Sequence, residues 1–329
     1  MIVRRLLTPL TAALAVLLAP HRTHAAPPVT SYLYHLATST GVVPFNGVNL
    51  SYDPLHDELY VFGTGQIRVF NSSGMEIYAF GDSTDVGTII GLGVLDDGEI
   101  ITLSLMEGGP TLLRCNFRGE PATRIALRGV PPRYADFVPG TMKYANGRIY
   151  LANLGQMTFM VVDTDGNFVA FHDVLSMLQD QEGKPLDRND LGLKGFNLDR
   201  DGNMLFTVQP LFKAYVLSVS GQLRSWGVKG SAPGKFNVLG GIASDERGYL
   251  YVTDILKSAV IIFDRDFRFQ REFGYRGPRP QNIVSPVDIA AGNGRLYVSQ
   301  YARRGVSVFK VQFDDEAAPP AGPRASVAN

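Results

Sequence analysis

A short unit recurs six times along this 329-residue chain and limits the fold more than any other feature. Each copy is a turn rich in Gly, Asp or Asn, followed by an apolar, β-prone triplet. The copies are His56-Asp57-Glu58-Leu59-Tyr60-Val61, Asp97-Gly98-Glu99-Ile100-Ile101-Thr102 and Asn146-Gly147-Arg148-Ile149-Tyr150-Leu151. They continue as Asp201-Gly202-Asn203-Met204-Leu205-Phe206, Arg247-Gly248-Tyr249-Leu250-Tyr251-Val252 and Asn293-Gly294-Arg295-Leu296-Tyr297-Val298. From Tyr60 through Ile101, Tyr150, Leu205 and Tyr251 to Tyr297 the steps are 41, 49, 55, 46 and 46 residues. Unequal steps around one length are the mark of a repeated supersecondary unit with loops of different sizes.

Each unit reads as four strands. In the fifth, Gly240 to Ser244 is a small-residue strand, Tyr249 to Thr253 a second, and Ala259 to Phe263 a third. After the turn Asp264-Arg265-Asp266-Phe267, the run Arg268 to Phe273 alternates polar and apolar as a half-exposed fourth strand. The sixth unit stops after its third strand, Val306–Val311, whereas Ser31-Tyr32-Leu33-Tyr34-His35-Leu36 is a β-prone segment with no unit of its own. Pairing the orphan with the incomplete unit closes a ring and leaves only short outer edges. The expected fold is therefore all-β: a six-bladed β-propeller of four-stranded blades, closed by the N-terminal strand. The blades are expected at about 43–81, 89–127, 138–173, 191–227, 236–274 and 282–311, with 31–36 as closing strand.

The stretch Trp226-Gly227-Val228-Lys229-Gly230-Ser231-Ala232-Pro233-Gly234-Lys235-Phe236, with Gly240-Gly241-Ile242-Ala243-Ser244-Asp245 and Arg247–Asp254 after it, resembles the NHL repeat. Ser285-Pro286-Val287-Asp288-Ile289-Ala290 and Gly195-Phe196-Asn197-Leu198-Asp199 resemble it in the sixth and fourth units. Similarity is strongest over 226–311 and weaker elsewhere. The resemblance implies six blades. It also implies that an Asp closing the second strand braces the following loop. Asp254 keeps that residue and Asn153 substitutes for it, while Gly63, Ser104, Gln209 and Gln300 stand in the other units.

Ahead of the repeats, Arg4 and Arg5 precede an apolar run from Leu10 to Ala19 that is too short to span a bilayer, and Thr23-His24-Ala25 offers small residues to a signal peptidase. Residues 1–25 are expected to be a signal peptide cut after Ala25, residues 26–312 the propeller, and 313–329, rich in Ala and Pro, a disordered tail. The product is expected in the periplasm or outside the cell. Loss of residues 1–25 removes Arg4, Arg5 and Arg22 and no acid, so 31 Lys and Arg become 28 against 31 Asp and Glu. A slightly acidic chain has no electrostatic case for wrapping nucleic acid. No later apolar run reaches membrane length. Cys115, the single cysteine, reads as a half-buried strand residue.

Chemistry is sparse in the pattern. The peptide-amidating lyases, which resemble this fold, hold zinc with several His residues. Here the mature chain has only His35, His56 and His172, which fall on the closing strand, a turn and an outer strand. Six-bladed lactonases and esterases hold calcium in the channel. Asn49, Asn197 and Asp288 are the polar inner-strand candidates. Asn49 and Asp288 fall at equivalent positions of blades that the closed ring makes neighbours, so a channel ion would sit there. A lone carboxylate is a poor calcium cage, and the reading is of no cofactor.

Function is expected on the loop-rich face. Its long loops are Arg128–Gly140, Leu175–Lys194, Val228–Val238 and Tyr275–Ser285. The shorter loops of the same face carry Phe212, Lys213, Lys257, Tyr301, Arg303 and Arg304, which join Arg276 and Arg279 in a basic, aromatic-bearing sector. These eight residues are the expected contacts for a protein or other macromolecular partner. The reading is a binding or scaffold protein that does no catalysis. The alternative is a six-bladed hydrolase or lyase using a channel metal.

Overall fold

The computed structural model describes residues 26–38, 40–41, 45–81, 85–178, 186 and 191–313. The expected signal peptide and the tail from residue 314 lie outside the described residues. Twenty-four strands form six four-stranded antiparallel sheets. Among the described residues the only helical pieces are 3-10 turns of three residues. The inner strands are Asn49–Asp53, Thr88–Val94, Thr141–Ala145, Phe196–Leu198, Leu239–Ser244 and Pro286–Gly292. In the first five blades the chain then steps outward strand by strand and crosses to the next inner strand.

The sixth sheet is completed from the other end of the chain. Val29–His35 pairs antiparallel with Val306–Gln312, in a register from Val29 opposite Gln312 to His35 opposite Ser307. The orphan segment thus closes the ring as its sequence required.

Apolar side chains on the two faces of each sheet meet those of the adjoining blades, giving six buried clusters, one at each seam. Leu205, Val216, Phe236, Ile242 and Ile261 fill one seam. Leu50, Val61, Phe70, Tyr297 and Val308 fill the seam between first and last blades. That seam also carries a polar clasp. Asp57 accepts hydrogen bonds from the Tyr52 hydroxyl at 2.7 Å and Asn293 Nδ2 at 2.8 Å, and it meets the Arg295 guanidinium.

The recurring turns owe their composition to side-chain acceptors. Asp245 Oδ1 accepts the Arg247 and Tyr249 amides while Oδ2 accepts the Tyr251 hydroxyl. Asp199 and Asp163 hold their own turns in the same way. A short Asp or Asn is needed because the acceptor must reach amides two and four residues ahead.

A chain of hydrogen bonds runs from the closing strand into the last blade. The Tyr32 hydroxyl lies 2.7 Å from His35 Nδ1, His35 Nε2 lies 3.0 Å from Ser307 Oγ, and Gln300 Nε2 donates to Ser307 Oγ at 2.6 Å. Burial, with a smaller push from Arg304, lowers the His35 imidazole below its ordinary value.

Two outcomes are expected. Truncating the chain to begin after residue 40 should abolish the single sharp calorimetric transition, because the sixth sheet loses its outer strand. On acidification, the unfolded chain takes up a proton at His35 before the folded chain does. Its share of stability is therefore present above the unfolded value of about 6.5 and is lost as pH falls through the lower folded value. His35→Gln should show a shallower loss of melting temperature between neutral pH and mildly acid pH.

Candidate functional site

Six inner strands leave a narrow channel. Facing the periodic residues Tyr60, Ile101, Tyr150, Leu205, Tyr251 and Tyr297 across the first ladder stand Ser51, Gly93, Lys143, Asn197, Ala243 and Ala290. Five of these are small or short. Lys143 is long, and it crosses from the third blade to the first, where Nζ donates to the Leu50 carbonyl at 2.7 Å. From the sixth blade, Asp288 Oδ2 accepts the Leu50 amide at 2.9 Å, and Oδ1 accepts the amide of Ile289. Both backbone groups that Leu50 turns toward the channel are thereby held by opposite charges from two other blades. Burial raises the Asp288 carboxyl above its ordinary range, and Lys143 pulls it back. Burial lowers the Lys143 ammonium, and Asp288 opposes that shift.

Backbone approaches backbone closely elsewhere in the wall. A side chain at Gly195 would strike the Gly240 carbonyl at 2.6 Å, and one at Gly241 would strike the Asp288 backbone at 2.8 Å. Below Lys143 the channel widens into a funnel of 310 Å³ on the short-turn face, rimmed by Asp53, Asp96, Asp199, Asp245 and Glu246.

Asn49 and Asp288 do occupy matching ladder positions, opposite Phe62 and Ser299. Asn49 is exposed and Asp288 half-buried. Among the described residues no cluster of three or more His, Cys, Asp or Glu is arranged to hold a metal ion. His56 is engaged with Asp53 at 2.6 Å, which raises its pKa.

On the loop face, the residues closing the second strands hold the incoming loops. Asp254 accepts the amides of Asn237, Val238 and Lys257. Gln300 Oε1 accepts the Val284 amide, Asn153 Nδ2 donates to the Val138 carbonyl, and Gln209 Nε2 donates to the Leu239 carbonyl. Two cations complete the bracing. Lys257 Nζ meets Glu272 and donates to the carbonyls of Ala232 and Lys235. Arg304 donates to the carbonyls of Pro278, Arg279 and Asn282. Each pins one long loop from beneath.

The eight residues singled out from sequence therefore divide. Lys257 and Arg304 face inward, where the sequence alone suggested partner contacts; the carbonyls of the folded-back loops draw them in. Phe212 is half-buried, with Lys229 Nζ 5.0 Å from its ring centre. Lys213, Arg276, Arg279, Tyr301 and Arg303 are exposed. Leu256, Tyr275 and Val228, which composition did not flag, are 69%, 60% and 58% exposed on the same loops. The signal for them was present: each is an apolar residue between turn formers, with no strand periodicity to bury it. Lys143 was also overlooked, and its mark was a long charged side chain where the other repeats carry small residues.

By sequence, no protein-family model and no curated protein matches the chain. Solved structures share its fold. Virginiamycin B lyase from Staphylococcus aureus superposes with a TM-score of 0.56 at 12% identity, over 87% of this chain and 99% of that one. The calcium-binding protein regucalcin from Agrobacterium tumefaciens str. C58 gives 0.54 at 12% identity, over 86% and 95%. A chain of a nidogen/laminin complex gives 0.51 at 15% identity, over 74% and 85%. At such identities the likeness is one of fold, and folds of this kind do not choose between catalysis and binding.

The channel brace makes a measurable claim. Lys143→Met removes the donor to the Leu50 carbonyl and the cation that opposes burial of the Asp288 carboxylate, and should destabilise the protein by about 1–3 kcal/mol in denaturant titration. Folded Asp288 then binds its proton more tightly than the unfolded chain does, so the deficit should shrink as pH falls. Lys143→Met combined with Asp288→Asn, which keeps an acceptor for the Leu50 amide and removes the charge, should recover part of the loss.

Proposed function

We propose that this chain is an extracytoplasmic, NHL-type propeller that binds a macromolecular partner through the loop face of its fourth to sixth blades. The observation that carries the reading is the set of exposed side chains Leu256, Tyr275, Val228 and Tyr301 on loops held rigidly from below. Aromatic side chains beside Arg are the residue types that anchor interfaces, and Tyr275 and Tyr301 stand next to or near Arg276 and Arg303 on these loops. Burying each would contribute on the order of 1.5–3 kcal/mol. Rigid loops lose little freedom on association, so more of that energy reaches the affinity. The signal-like first residues support export. No described helix is long and apolar enough to cross a membrane.

The catalytic alternative draws less support. A calcium ion does not fit the channel: the single carboxylate of Asp288 already accepts two amides, and the Lys143 ammonium beside it would repel a cation.

The reading predicts that Tyr275→Ser with Arg303→Ala lowers capture of the native-extract partner at least about tenfold, with the melting temperature unchanged. Phe117→Ser on the opposite face, also at an exposed site, should leave capture intact. Equal capture by all three proteins would remove the loop face from consideration.

A further inference from the structure

The charges of one sector of this face, over the fourth to sixth blades, are one-sided. The five loops spanning 208–213, 227–238, 254–258, 274–285 and 300–305 contain eight Lys and Arg and a single acid, Asp254. Asp254 is fully buried and engaged by three backbone amides. Lys257 and Arg304 point inward to hold the loops. That leaves Lys213, Lys229, Lys235, Arg276, Arg279 and Arg303, all exposed, with no acidic side chain displayed on these loops. The chain as a whole has equal numbers of acids and bases, so this is a segregation of charge rather than a property of composition.

Resting on the loop-face reading above, we propose that the partner is a protein presenting an acidic segment interspersed with apolar side chains. Charge complementarity calls for an anion. Leu256, Tyr275 and Val228 are exposed on the same loops as the cations, and a uniformly polar polyanion would leave them wet. The cations also sit on loops fixed by side-chain braces, among them the three carbonyl bonds of Arg304. A fixed array matches a fixed pattern of carboxylates, whereas a fluid layer of lipid headgroups gains nothing from such rigidity. Three Arg among the six displayed cations suit bidentate pairing with carboxylates.

The test uses the mature protein and four immobilised probes: a random glutamate–tyrosine copolymer, poly-glutamate, heparin, and vesicles of phosphatidylserine and phosphatidylcholine. The copolymer should bind most tightly, with affinity falling as salt rises. Arg276→Glu with Arg279→Glu should weaken it at least about tenfold without moving the melting temperature. Leu256→Ser should weaken the copolymer but leave poly-glutamate unchanged. Tighter binding of heparin or vesicles, abolished by the same charge reversals, would overturn the partner class while leaving the face in place. Failure of every probe, with native partner capture still lost in Tyr275→Ser/Arg303→Ala, would likewise overturn only the partner class. Copolymer binding indifferent to the charge reversals would overturn the proposal together with the face.

Discussion

The architecture depends on one ladder, in which Val29–His35 hydrogen-bonds to Val306–Gln312. Every other strand pair is local, formed by segments a few residues apart. This one joins segments separated by nearly the whole chain, and it cannot form until the intervening blades have curved through a full turn. The six seam clusters then share a common fate, since each blade is packed on both faces. The Tyr32–His35–Ser307–Gln300 series reinforces that ladder within the sixth sheet, where the two ends of the described chain meet, and the Asp57 clasp ties the same sheet to the first blade.

The channel and the loop face answer the same physical problem in two places. Backbone groups that a strand edge or a loop leaves without partners must find some. At Leu50 the partners are Lys143 and Asp288; on the loop face they are Asp254, Gln300, Lys257 and Arg304. Charged side chains serve because they reach far and bond strongly. In both places, residue types that suggest chemistry or recognition are occupied in holding the fold.

This explains what could and could not be read from the residues in order. The blades were legible because Tyr60, Tyr150, Tyr251 and Tyr297 repeat at a fixed place in a local unit. The closing strand was legible by elimination, since Ser31–Leu36 had no unit and the last unit lacked a strand. The bracing role at the end of the second strand was legible at Asp254 and Asn153, whereas Gln300 and Gln209, which stand where the Asp is missing, brace their loops through a longer side chain that the repeat pattern did not indicate. What stayed hidden was contact across space. Nothing near Lys143 in sequence indicates that its partner is Leu50, two blades away, and nothing near Arg304 indicates that Pro278 and Asn282 turn their carbonyls toward it. Cations on a loop look alike until the loop's path is known.

The register of the closing ladder sets Val29 beside Gln312, and both lie at the end of their strands remote from the Tyr301–Gly305 turn. The described chain therefore enters and leaves the wheel at neighbouring points on its underside. A tether, tag or further domain joined at either end would hang below the disc, and a molecule fixed to a support through such a joint would turn its cationic surface outward, unobstructed, toward whatever arrives from solution.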